Sequence, residues 1–240
     1  MTPPLPTVPE RLQRLRSDVS VLATTSSERQ VRPLREALDA VADGASSALL
    51  DAVEGLTALL ATAEAQLSGL ERSVRDDLDR AATLSDVRTA AQLGSAADVA
   101  TACAAASALL LDADEARAAG SLHDPAAVLA LLIEADAVLD TVVAGYREPR
   151  TRAERQLLLF EAARTAARLG ADAASLLGLV HGDRVTAAPR ILAEETTDRL
   201  AKAARLAATD PAAALELARG AVDRGRSALD EALVDLDAPR

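Results

Sequence analysis

Apolar residues recur at spacings of three and four along almost the whole chain, the period of one face of an α-helix. Leu12, Leu15, Val19 and Leu22 share such a face within residues 12–23. In TTSSERQVRPLREALDAVA, Ser26 or Ser27 suits a helix cap with Glu28 in the first turn. Pro33 lies inside that segment and predicts a kink or a later helix start, because proline lacks the amide donor. Gly44 and Ser46 loosen the pattern. It then runs unbroken from Leu49 and Leu50 through Val53, Leu56 and Leu60 to Leu78 and Ala81. The spacing predicts one amphipathic helix from about Ser46 to Leu93, roughly 70 Å long at 1.5 Å per residue. A helix of that length serves as the spine of a bundle or coiled coil.

Gly94-Ser95 predicts its end, with Ser95 capping the next helix, and Gly120-Ser121 ends that one. Asp124 is a strong N-cap, and Pro125 falls at the first helical position, where its missing amide costs nothing. In the helix that follows, Val128–Ile133 is apolar on most sides, which predicts the most buried helix of the chain. Glu148-Pro149 marks a break, and Thr151 begins a second long helix ending near His181-Gly182. A loop, GDRVTAAP, leads to a helix from Arg190, and Thr209-Asp210-Pro211 opens the last helix.

The stretches HDPAAVLALLIEADAVLD and TDPAAALELARGAVDRG read alike, with Asp124 and Asp210 in matching places. A long helix, a medium helix and an Asp-Pro-started helix thus occur over 46–146 and again over 149–236. This predicts a repeated three-helix unit in which Leu129 and Leu215 occupy equivalent buried positions. A tetratricopeptide-like array is the weaker parse, since its period of about 34 residues and its aromatic positions are missing. The fold expected is all-α: an elongated antiparallel helical bundle or coiled coil, two three-helix repeat units with a long spine helix. Residues 10–45 form an N-terminal helical segment, and residues 1–9, with four prolines, a disordered tail.

Composition narrows what such helices can do. Half of the 240 residues are hydrophobic, yet only Tyr146 and Phe160 are aromatic and there is no Trp. Ala, Leu and Val suit close helix packing, whereas deep ligand pockets and base-stacking platforms draw on aromatic rings. The net charge is −11 and the 26 basic residues, of which only Lys202 is lysine, are interleaved with acids. Phosphate-binding surfaces need clustered cations, so nucleic acid is excluded as an expected partner. The bias to Arg, Ala and Asp is that of a GC-rich genome.

Candidate chemistry is sparse. The sequence holds no GxGxxG, P-loop, HExxH or GxSxG. Cys103, the lone cysteine, reads as a small buried apolar residue without a neighbouring His. His123 and His181 read as surface loop residues. A di-iron site is excluded because neither has a Glu three residues before it. Glu194 and Glu195 point to different azimuths of one helix. The acidic groups Arg75-Asp76-Asp77 and Asp112-Ala113-Asp114-Glu115 lack the calcium-loop glycine and read as solvated helix faces. No catalytic, cofactor-binding or metal-binding residue is expected.

The segment HGDRVTAAPRILAEETTDRLAKAARLAATDPAAALELARGAVDRGRSALDEAL resembles the C-terminal helical region of actinobacterial TPM-domain proteins, most strongly over residues 150–236. The carriers are a loop before an Ala/Arg/Leu helix, then a TDPAAAL start before an ARxAxxLxxxAL helix. The resemblance implies helices that follow a signal sequence, an extracytoplasmic TPM domain and a membrane helix. None of the three is read in this sequence: MTPPLPTVPE has neither a basic region nor an apolar core, and no apolar run reaches about 18 residues. The expectation is a cytoplasmic, non-enzymatic scaffold or protein–protein interaction module, with a homodimer and an accessory place in a membrane-associated complex as its expected settings, without cofactors. An amphipathic protein lying on a membrane surface is the alternative.

Overall fold

The computed structural model describes residues 7–42, 44, 47–86, 96–118, 122–143 and 147–239. Among these the chain forms eight α-helices and no strand: α1 (Val8–Leu22), α2 (Glu28–Ala42), α3 (Ser47–Asp86), α4 (Ala96–Ala118), α5 (Pro125–Val143), α6 (Pro149–His181), α7 (Ala187–Leu206) and α8 (Pro211–Asp237). The fold is all-α, as the apolar period predicts.

Two long helices organise the rest. α3, of 40 residues, is about 60 Å long and packs against α1, α2, α4, α5 and α6. α6, of 33 residues, packs against α2, α3, α5, α7 and α8. The sequence reading names one spine; α6 is the second. Its buried face mixes large residues, such as Leu159, Phe160 and Leu169, with a run of small ones, including Ala162, Ala163, Ala166, Ala167 and Gly170. Small side chains let neighbouring backbones approach, and α6 and α8 touch where Gly170 crosses Gly225. A methyl on Gly170 would overlap the Gly225 carbonyl, and one on Gly225 the Ala167 carbonyl.

α3, α4 and α5 pack mutually, and so do α6, α7 and α8. Leu129 and Leu215 are both buried. Both Asp-Pro signals act alike: Asp124 Oδ1 accepts from the amides of Ala126 and Ala127, and Asp210 Oδ1 from that of Ala213. The triples differ at the crossing, since an offset of 86 residues sets Leu139 opposite Gly225. Of α5, ten of nineteen residues are buried.

Three local expectations change. α1 starts at Val8 and includes Pro9 in its first turn, where no amide is missed. α2 begins before Pro33, not after it. Its start is held from outside: the Ser27 amide donates to the His123 carbonyl (2.7 Å) and the His123 amide to Thr25 (3.0 Å). Arg29 and Gln30 both reach Asp124, at 2.5 and 2.9 Å. The Ser26 and Ser27 hydroxyls, expected to cap, are buried without a hydrogen bond. α7 begins at Ala187, with Pro189 in its first turn, after a 3-10 turn at Gly182–Arg184. Gly44 and Gly182, just past the ends of α2 and α6, adopt positive φ (103° and 54°), which a residue with a Cβ disfavours. The expected helix end at 87–93, the breaks at 94–95 and 120–121, the Ser95 cap, Tyr146 and residues 1–6 lie outside the described residues.

Candidate functional site

The apolar stripe of α5 has an acid set into it. Leu132, Ile133, Asp136, Leu139 and Val143 follow at threes and fours, and Asp136 is fully buried with them. Asp77 takes the same kind of place on α3, between Val74 and Ala81. The reading of Arg75-Asp76-Asp77 as a solvated face therefore fails at Asp77, which is 4% exposed. The periodicity itself was the available signal, because each acid falls on the stripe.

Burial on this scale needs partners. Arg155, in the second turn of α6 and 7% exposed, donates from Nε to Asp136 Oδ1 at 2.8 Å and again from Nη2 to the same oxygen. Its Nη1 donates to Ser73 Oγ on α3, and Nη2 lies 3.4 Å from Asp77 Oδ2. Arg147, just before α6, donates to Asp77 Oδ2 at 2.6 Å and to Asp140 Oδ1. The cluster thus fastens the start of α6 to α3 and α5. Burial pushes the Asp136 carboxyl above its ordinary value; Arg155 and Arg147 pull it back and Asp140 adds to the rise. Burial works against the Arg147 charge, but Asp140 and Asp77 hold its pKa above the usual guanidinium value.

One contact in the cluster is left open. Asp136 Oδ2 makes no hydrogen bond, nor do Arg219 Nε and Nη2, and Nη2 lies 3.9 Å from Asp136 Oδ2 as an ion pair from α8. Arg219 is instead held through Nη1 by Glu216, at 2.7 Å. Arg219 also lines a groove of about 230 Å³ between α5 and α8, whose other walls are Ala130, Ile133, Glu134, Ala137, Val222 and Asp223. The larger groove, about 490 Å³, runs between α1 and α3. Its floor is Leu15, Leu22, Ala58 and Ala61, and its rim carries Arg14, Asp18 and Glu54. Val21 stands at its edge, 65% exposed. Thr57 lies against it, buried, with an unpartnered Oγ1.

The two histidines are paired side chains, not free loop residues. His181 Nε2 lies 2.6 Å from Glu36 Oε2 on α2. His123 Nε2 lies 2.9 Å from Glu64 Oε1 on α3, without the angles of a hydrogen bond, so both atoms are buried and unsatisfied. The structure does not bring the histidines together: one meets α2, the other α3. Glu36 is half-buried, and desolvation raises its pKa, yet Arg32 and His181 hold it below the ordinary value. Cys103 is half-buried, and desolvation pushes its thiol up. Glu194 and Glu195 are exposed, with Glu195 3.4 Å from Arg224. Asp112 and Glu115 are exposed, and Asp114 holds Arg75 at 2.7 Å. Among the described residues, no helix is long and apolar enough to cross a membrane, and no group of three or more His, Cys, Asp or Glu is placed to hold a metal ion.

Comparison with protein-family models, curated proteins and solved structures gives no match.

Proposed function

We propose that this chain is a non-enzymatic helical scaffold that binds a helix of a partner protein. The observation that carries the reading is the groove between α1 and α3: an open trough of about 490 Å³ with an apolar floor, a charged rim and an exposed Val21 at its edge. Helices recognise such troughs by laying apolar side chains at i, i+3, i+4 and i+7 along the floor. The charged groups buried elsewhere are Asp–Arg pairs that join helices, a structural use of charge. The TPM-like character of residues 150–236 supports an accessory place beside a membrane-associated complex.

Ala58 and Ala61 are exposed on the groove floor, so Glu there alters the surface and not the core. The double variant Ala58→Glu/Ala61→Glu is expected to fold as the wild type and lose its partner. An unchanged set of partners overturns the reading. Membrane-surface binding is the second reading, and co-sedimentation with liposomes separates the two. It has less support, since interfacial helices favour Lys, Arg and aromatics and this chain carries −11.

A further inference from the structure

We propose that the groove between α5 and α8 is a second docking site, and that its occupant is a basic amphipathic helix of a partner protein. The inference stands on a different surface from the α1–α3 groove, and it rests on the same reading of the chain as an interaction module.

Charge complementarity selects the occupant. Glu134 on α5 and Asp223 on α8 stand on facing walls, both exposed and neither with an ion-pair or hydrogen-bond partner among the described residues. The one cation of the groove is turned away. Arg219 Nε and Nη2 are buried, Nη2 3.9 Å from Asp136, and Glu216 takes Nη1. Behind the wall, fully buried Asp136 makes an ion pair through Oδ2 with Arg219 Nη2 at 3.9 Å. With Arg219 paired to Glu216 and Asp136, the unpaired charge of the groove is that of Glu134 and Asp223. Between the walls the floor is Ala130, Ile133, Ala137 and Val222. An apolar floor under an acidic rim matches lysine and arginine, whose aliphatic stems cover apolar surface while their heads stay at the edge. The small side chains of Ala130 and Ala137 let a helix lie close.

The test uses the full chain and two synthetic amphipathic peptides of the same length, one of Leu, Ala and Lys and the other of Leu, Ala and Glu. Binding is read by calorimetry at low and moderate salt. The Lys peptide is expected to bind, more weakly as salt rises, and the Glu peptide not to bind. Glu134→Gln/Asp223→Asn is expected to weaken the Lys peptide by roughly threefold to thirtyfold, two exposed ion pairs being lost. Glu194→Gln/Asp198→Asn removes the same charge from α7 and is expected to leave affinity unchanged. All four side chains are exposed, so the variants keep the fold. Equal loss in both double variants, or none in the first, overturns the assignment. Loss only on Ala58→Glu/Ala61→Glu overturns it while the interaction reading survives. A second copy of the chain competing for the groove, seen as self-association that Glu134→Gln/Asp223→Asn abolishes, overturns the basic-helix occupant.

Discussion

Asp136→Ala leaves the Arg155 guanidinium buried, with two of its hydrogen bonds gone. Removing one partner of a buried pair costs about 3–5 kcal/mol, and urea denaturation should show a loss of that order. A loss within surface-substitution range would mean that the cluster holds little. Asp136→Asn asks a finer question. The folded carboxyl has a pKa above its ordinary 3.8, chiefly through burial, so the folded chain binds that proton more tightly than the unfolded chain. The stability this adds is complete at low pH and is lost as pH rises from 3.8 through the raised value. Relative to wild type, Asp136→Asn should therefore gain stability across that interval and run parallel above it. A difference that moves the other way would show that Arg155 outweighs desolvation. Asp136 and Asp77 were legible as anomalies, because each sits on a stripe otherwise filled by Leu, Val and Ala. Their partners were not. Arg155 and Arg219 come from other helices and Arg147 from the bend before α6, and no spacing within one helix encodes a contact between several segments.

Helices α6 and α8 meet through glycine. Gly→Ala within a helix ordinarily gains about 1 kcal/mol in propensity. At Gly170 or Gly225 the added methyl overlaps backbone, which cannot swing aside as a side chain can, and overpacking typically costs 1–3 kcal/mol. Both Gly170→Ala and Gly225→Ala should lower stability, measured by thermal or urea melts. Gly55 and Gly69, with open space around the added methyl, should behave oppositely on α3. α1 is held more lightly: it buries only Leu15 and Val19, with Arg11 reaching Asp51 and Glu54 on α3. Its amides should exchange with solvent ahead of those of α6, and Leu15→Ala should speed α1 exchange and leave α6 alone. Uniform acceleration would mean that α1 opens only with the whole chain. At this scale the sequence is most informative where the signal is local. The Asp-Pro caps of α5 and α8 could be read directly. The start of α2 could not, because the contacts of His123 and Asp124 determine it from about a hundred residues away, and Pro33 is carried along.

For the whole molecule, the two helical triples are joined by charge as well as by apolar packing. Arg147 and Arg155 tie the beginning of α6 to α3 and α5, while α2 crosses between the triples through Arg29, bound to Asp124 and Asp230, and Arg32, bound to Asp237. Helix content, the spine and the Asp-Pro starts were all legible in periodicity. The grooves were not, since a groove is the space between helices and depends on which neighbours they acquire. The account holds that the trough between α1 and α3 is occupied by a partner helix when the protein works. Its most direct test is a photo-crosslinking side chain placed at Ala61 on the groove floor, compared with one at Asp79 on exposed α3 surface, in the native cell. The account predicts a discrete protein adduct from position 61 that position 79 does not give. An adduct to lipid alone, or the same adducts from both positions, would contradict it.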